Sequence, residues 1–286
     1  FDYGQDPTSP EPTTLNGPFR VVVPIYNPVT QRYLIEMAAL LASHEGGYAI
    51  PVTVARAQVH MDDPNLVDTL GQYRKLLQKA ETLSQKFNAQ AYSVLRIDDD
   101  VSEGITRTAR EQNASLILLG WSRQGFRAKL FGTLVDDVFW SSHCPVAVAR
   151  LLVEPIDINR ILVPMKAVTP QAIRTARFAQ MFASTHGAAV TLFHVYDRHT
   201  PTDQVQTIEA ALTQVMASGQ QVTWDLLTLA HDNPAEIILA TARNYDLIVL
   251  RSMRRRTAGG LAVSNVTHQV IDEATCSLVL FGEPHT

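Results

Sequence analysis

Glu111-Gln-Asn-Ala-Ser-Leu-Ile-Leu-Leu-Gly120 and Ala242-Arg-Asn-Tyr-Asp-Leu-Ile-Val-Leu-Arg251 are two versions of one segment, each leading from an asparagine into an apolar run of core-strand length. Their asparagines lie 131 positions apart (244 − 113). Upstream, Phe19-Arg-Val-Val-Val-Pro24 returns as Asn159-Arg-Ile-Leu-Val-Pro164, with the prolines 140 apart (164 − 24). Downstream, His143-Cys-Pro-Val-Ala-Val-Ala149 returns as Thr275-Cys-Ser-Leu-Val-Leu-Phe281, at an offset of 132 (276 − 144). Three blocks in one order at nearly one spacing make the chain a tandem of two diverged copies. The shrinking offset places a deletion of several residues inside the second copy.

Within each copy, short β-branched runs alternate with longer helical periodicities, the pattern of βα units around a parallel sheet. Strands are predicted near 19–25, 50–58, 90–97, 115–120 and 145–151, with helices near 29–45, 66–87, 101–113 and 132–142. The second copy reads as strands near 159–165, 189–196, 221–229, 246–251 and 277–282, with helices between. Asp100-Val-Ser-Glu103 and Asn233-Pro-Ala-Glu236 carry helix-start signals, and Pro234 suits the first helical position. The resulting fold class is α/β, with two open, mainly parallel five-stranded sheets flanked by helices. The fifth-strand runs Val146-Ala-Val and Leu278-Val-Leu are expected to pair and form an internal pseudo-dimer. Residues 1–18 are expected to be a linker or tail, 19–153 the first domain and 158–283 the second.

Composition removes several function classes. The chain has 286 residues, 46% of them hydrophobic and 18% charged, which is ordinary for a globular protein and ample for two cores. A formal net charge of −4 offers no basic face for duplex nucleic acid. The two cysteines, Cys144 and Cys276, occupy matching points of the copies and suggest reduced intracellular thiols. No apolar run approaches the roughly eighteen residues that span a bilayer. Phe1 to Pro18 is rich in Pro, Thr, Gly and acidic residues, as a solvated linker would be. Two expectations follow: a native terminus, or a fragment cut from a longer polypeptide at a linker.

Leu116-Ile-Leu-Leu-Gly120, a polar loop, Gly132-Thr133, a helix and then His143-Cys-Pro-Val-Ala-Val resemble the C-terminal signature of universal stress proteins. His194-Val195 and Asn233-Pro-Ala-Glu-Ile-Ile238 are also typical of that family, and the resemblance runs from Phe19 to Phe281. It implies an adenine nucleotide alpha hydrolase-like fold. Nucleotide-binding members are similar to one another in a Gly-x2-Gly-x9-Gly-Ser/Thr loop whose backbone N–H groups face phosphates. Here that pattern is eroded. Gly120, Gly132 and Thr133 stand at the outer positions of the first copy, with Ser122 beside them and Arg123 at the middle glycine. In the second copy Arg251, Arg254 and Ser264 replace the three glycines. The acidic position after the first strand reads Tyr26 and Lys166. A Cβ blocks close backbone approach to phosphate. The resemblance therefore makes Gly120, Ser122, Arg123, Gly132 and Thr133 the candidate nucleotide site, for ATP, AMP or a cyclic adenine dinucleotide.

Other constellations have plain alternatives. Gly120-Trp-Ser-Arg-Gln-Gly125 misses the nucleophile-elbow spacing by one residue, which makes Ser122 a polar loop residue first and a nucleophile second. Asp98-Asp-Asp100 could hold a hard cation, against Asp100 capping a helix and its neighbours being solvated. Arg251, Arg254, Arg255 and Arg256 form the densest charge and are a candidate anion site, against a solvated loop or partners for acidic residues. His44 and His186 fall near helix ends, where an imidazolium suits the dipole. No metal or catalytic group is expected.

The decayed loop and absent catalytic constellation point to a non-catalytic regulatory module. Tandem units of this kind resemble the soluble C-terminal regions of some bacterial cation/proton (sodium/proton) antiporters. The resemblance implies a cytoplasmic location, a covalently linked membrane transporter domain and a homodimer, with no nucleic acid partner. The alternative is a free-standing stress protein holding an adenine nucleotide in its first domain.

Overall fold

The computed structural model describes residues 17–26, 28–56, 65–121, 132–252, 256–257, 260–261 and 263–283. The first domain runs β1 (Arg20–Pro24), α1 (Pro28–His44), β2 (Tyr48–Arg56), α2 (Asn65–Lys86), β3 (Gln90–Ala91), β4 (Val94–Asp98), α3 (Val101–Glu111), β5 (Leu116–Gly120), α4 (Gly132–Ser141) and β6 (Val146–Arg150). A 3₁₀ turn at Pro155–Asp157 leads into the second. That domain runs β7 (Arg160–Met165), α5 (Pro170–Ser184), β8 (Ala189–Tyr196), α6 (Thr202–Ala217), β9 (Trp224–Ala230), α7 (Pro234–Ala242), β10 (Leu247–Arg251), a hairpin of β11 (Arg256–Thr257) and β12 (Gly260–Leu261), α8 (Asn265–Glu273) and β13 (Ser277–Gly282).

The two expected sheets join into one of eleven strands, ordered β3-β2-β1-β5-β6-β13-β10-β7-β8-β9, with β4 also on β2. The order reads the same from either end by repeat equivalence. Its middle is the antiparallel β6–β13 pair, in register from Leu278↔Arg150 to Gly282↔Val146. Every other ladder of this sheet among the described residues is parallel. Parallel strands with helices on both faces are buried on both sides, which explains why β1, β5, β6, β10 and β13 read as continuous apolar runs. The eleventh strand arises because the run predicted at 90–97 breaks at Tyr92-Ser93, where the Glu81 carboxylate accepts the Ser93 N–H at 2.6 Å.

Two large cores result, one on each face, and both cross the domain boundary. Met37 and Leu41 of α1 share one with Phe178 and Phe182 of α5. Ile105 of α3 and Phe139 of α4 share the other with Ile238 of α7 and Val270 of α8. Each such buried side chain contributes about 1.5–3 kcal/mol, so the domains stabilise each other through packing as well as through the sheet. Helix ends follow local chemistry. Asp100 and Asn233 cap α3 and α7 as the sequence indicates, and Thr169 and Ser264 cap α5 and α8. After α1 and α5 the chain turns through Gly46 (φ 61) and Gly187 (φ 80), a left-handed geometry that glycine adopts without strain.

The seam carries one buried cation. Arg150, at the end of β6, donates from Nη2 to the Ala274 carbonyl at 2.7 Å and to that of Cys276 at 3.3 Å; its Nη1 reaches the Ile271 carbonyl at 3.3 Å. Its guanidinium also lies 5.5 Å from the Trp121 ring centroid. A first-domain cation thus closes the C-terminal end of a second-domain helix, where the dipole favours positive charge. Beside α1 and α5, His44 Nε2 lies 3.0 Å from Ser184 Oγ and 2.8 Å from Gln220 Oε1. His44 therefore bonds across the boundary as well as sitting at its helix end.

Candidate functional site

In an open parallel sheet the carboxyl ends of the strands form a crevice lined by helix N-termini. In the second domain this crevice is a cleft of about 680 Å³. It lies where β7, β8 and β10 end and where α5, α7 and α8 begin. Its floor is apolar, with Phe193, Ile238, Leu250 and Val270 nearly or fully buried.

Three polar groups stand out against that floor. His194 is 2% exposed, and its Nδ1 lies 3.0 Å from the Met165 carbonyl oxygen. A carbonyl only accepts, so Nδ1 carries the proton of that contact. That Nε2 has no hydrogen-bond partner. Arg251 ends β10 and donates from Nη1 to Thr169 Oγ1 at 3.0 Å; the same hydroxyl oxygen accepts the Ala172 N–H and caps α5. Lys166 is exposed at the rim. Two acidic residues, Asp197 and Asp232, also line the cleft. Asp232 pairs with Arg198 at 3.5 Å, and Asp197 accepts the His199 N–H at 2.8 Å.

The first domain differs at matching points. Thr53 occupies the β2 position equivalent to His194, and its hydroxyl donates to the Ile25 carbonyl at 3.0 Å. The same latch is made, with nothing left over. Counted back from the left-handed glycines, Leu34 matches Thr175, which lines the second-domain cleft. Leu34 lies against Gly120, where an added Cβ would meet its Cδ1 at 2.4 Å. Gly120 is thus a glycine that makes room for a neighbouring helix.

Of the predicted residues, Arg251 is brought to a cleft. Gly132 and Thr133 open α4, and Arg256 lies in β11. Ser122, Arg123, Arg254 and Arg255 lie outside the described residues. The Asp98–Asp100 run is occupied by protein partners. Asp98 Oδ2 is 3.1 Å from both Arg96 Nε and Arg107 Nη1. Asp100 accepts from the α3 N-terminus, with hydrogen bonding to Ser102 foremost among the causes that hold its carboxyl below the usual range. Burial lowers the pKa of His186, partly offset by its hydrogen bond to the Ile158 backbone. Sequence reasoning misses the roles of Thr169 and Arg150. Thr169-Pro170 was available as a cap signal for the first, whereas the second depends on a contact 124 residues away.

The universal stress protein family model matches residues 19–150 and again 157–282. Over 273 residues the chain is 47% identical to the Na(+)/H(+) antiporter NhaS5 of Synechocystis sp.. That match takes in 93% of this chain and 39% of the antiporter's length. A universal stress protein from Archaeoglobus fulgidus superposes with a TM-score of 0.66 at 16% identity, over 91% of this chain and 97% of that one. The cytoplasmic domain of a prokaryotic cation chloride cotransporter does so with a TM-score of 0.62 at 10% identity, over 92% and 95%. At these identities the two structures speak for the fold. No helix among the described residues is long and apolar enough to cross a membrane. Two family matches in tandem cover most of the sequence, and the chain belongs to the universal stress protein family.

Proposed function

We propose that this chain is a non-catalytic regulatory module, the cytosolic portion of a sodium/proton antiporter polypeptide. The observation that carries the reading is the 47% identity that spans 93% of this chain but only 39% of the antiporter. The geometry is consistent with it. Two domains locked through one sheet and two shared cores move as a unit, so a ligand or proton taken up in either can alter the surface offered to a linked transporter. A tenfold shift between two transporter states requires only about 1.4 kcal/mol of differential interaction.

Gly120 has a packing explanation in Leu34, so the nucleotide reading of the first domain gains no separate support from that residue. The test is sodium/proton exchange in everted membrane vesicles. The intact polypeptide that carries this sequence would be compared with one lacking the region equivalent to 19–283. Exchange is expected in both, with its pH or sodium dependence shifted severalfold by the deletion. Superimposable curves, or an intact reading frame without membrane-spanning segments, would overturn the reading.

A further inference from the structure

The eleven-strand sheet has two open ends, and the chain treats them differently. At the first-domain end, Arg96 and Asp98 of β4 lie on the face that they share with Val54. Arg96 is 2.7 Å from Glu111 and 3.1 Å from Asp98, and Asp98 is also 3.1 Å from Arg107. Charge thus ties the eleven-residue α3 across this strand. The edge is also interrupted at Tyr92-Ser93, between β3 and β4. Charges and short segments of this kind keep a strand edge from pairing with another chain.

At the second-domain end, β9 runs unbroken for seven residues, with β8 on one side. Thr53 and His194 are equivalent, and their ladder partners are Leu95 and Thr228, so Leu229 stands where the first domain has Arg96. Leu227 shares its face. The nine-residue α7 leaves these leucines 36% and 37% exposed. Val190 donates its N–H to the Thr223 carbonyl at 2.9 Å, and His231 donates to that of Tyr196 at 3.0 Å. Those two bonds fix the alternation between them. Asp225, Leu227 and Leu229 turn their backbone groups to β8, whereas Leu226, Thr228 and Ala230 turn theirs to the open edge. The Leu226 N–H is held there by its neighbour, the Asp225 carboxylate, at 2.9 Å.

We propose that β9 is a homodimerisation edge, pairing antiparallel with β9 of a second copy about a twofold axis at Thr228. In this register Thr228 exchanges backbone bonds with the partner's Thr228, and Leu226 with the partner's Ala230. On the exposed face Leu227 meets the partner's Leu229, and Asp225 meets the partner's His231, a carboxylate against an imidazole. Asp225 gives up the Leu226 N–H, which takes a carbonyl of the second copy instead. A second copy fits because the strand complements itself in both charge and apolar positions. The chain already joins two versions of this unit edge to edge, at β6–β13, and an isologous contact closes at two. One strand pair covers less than the roughly 1,600 Å² of a standard interface, so a dimer of micromolar affinity is expected. The proposal concerns the chain by itself and does not depend on a linked transporter.

The test is sedimentation velocity on the full 286-residue chain, from low micromolar to submillimolar concentration. A monomer–dimer equilibrium is expected. Leu227→Lys enters the interface twice and should weaken the dimer roughly tenfold or more. Ile97→Lys, at a position 60% exposed on the other edge, should leave it unchanged. Asp225→Lys should weaken it severalfold, and adding His231→Asp should restore it. The two positions are about 20 Å apart along one strand, so that recovery cannot arise within a chain. Leu227, Asp225 and Ile97 are exposed, and unchanged urea midpoints would confirm that their variants fold. A chain that stays monomeric would overturn the proposal, as would a dimer indifferent to Leu227→Lys or one weakened by Ile97→Lys instead. Mass growing beyond the dimer would overturn the twofold contact, and failure of the exchanged pair to restore the dimer would overturn the register.

Discussion

The two strand edges at Gly120 and at Arg251 descend from the same position in a repeat, and their neighbours have taken opposite courses. In the first domain Leu34 fills the space beside Gly120 and Thr53 satisfies the strand carbonyl with a hydroxyl. In the second, Thr175 is shorter, His194 makes the same latch through Nδ1, and both residues line a cleft of about 680 Å³. A motif glycine can therefore be kept for packing alone. Among the described residues, the copy that has lost its glycines lines a cleft at this edge.

The largest expected effect is at the seam that makes such divergence tolerable. Arg150→Met removes the donors to two carbonyls at the end of α8 and to that of Cys276 just beyond it. Leaving buried acceptors unpaired should cost about 3 kcal/mol in total, read as a lower urea midpoint. A midpoint unchanged from the native chain would mean that the ladder and the shared cores hold the domains without help from this cation. Next comes Leu34→Ala, which empties a site only 5% exposed. A loss of about 2–4 kcal/mol is expected. Gly120→Ala is milder, at about 1–2 kcal/mol, because the clash is with the mobile end of Leu34. That penalty should disappear in the Leu34→Ala background. Additivity of the two changes would show that they do not share a space.

Much of this was legible in the sequence, for identifiable reasons. Parallel strands buried on both faces announce themselves as apolar runs, and both β8 and β13 fall where they were predicted. Pairing of Val146-Ala-Val with Leu278-Val-Leu could be read because edge strands need partners. The Leu34–Gly120 contact could not, since it depends on how α1 lies across β5. Nor could the unpartnered nitrogen of His194, because a His-Val at a strand end says nothing about the cavity beside it. Arg251 was legible as a charge but not as a partner of Thr169, which lies 82 residues away.

A smaller effect is expected from pH at the domain junction. Glu36 is wholly buried, and its Oε1 accepts the Ile156 N–H at 3.0 Å. Burial raises its pKa above the ordinary carboxylate value, against the hydrogen bond from Ile156; Glu154 and Asp157 add to the rise, and Arg32 opposes it. The folded chain therefore holds this proton to higher pH than the unfolded chain does. The contribution to stability is complete below the unfolded value and is lost as pH rises through the folded one. Glu36→Gln should flatten that decline in a series of urea midpoints from acid to neutral pH. A slope unchanged by the substitution would assign the dependence to other carboxylates.

Thr175→Leu isolates the difference between the domains, because it gives the second the side chain that lies against Gly120 in the first. Its cost in stability should stay within about 1.5 kcal/mol. Urea midpoints should then keep Thr175→Leu within that margin of the native chain, because the cleft beside it has room for the longer side chain, whereas Leu34→Ala in the first domain loses about 2–4 kcal/mol. A Thr175→Leu loss as large as that of Leu34→Ala would contradict the account, since the second-domain position would then be packed as tightly as the first.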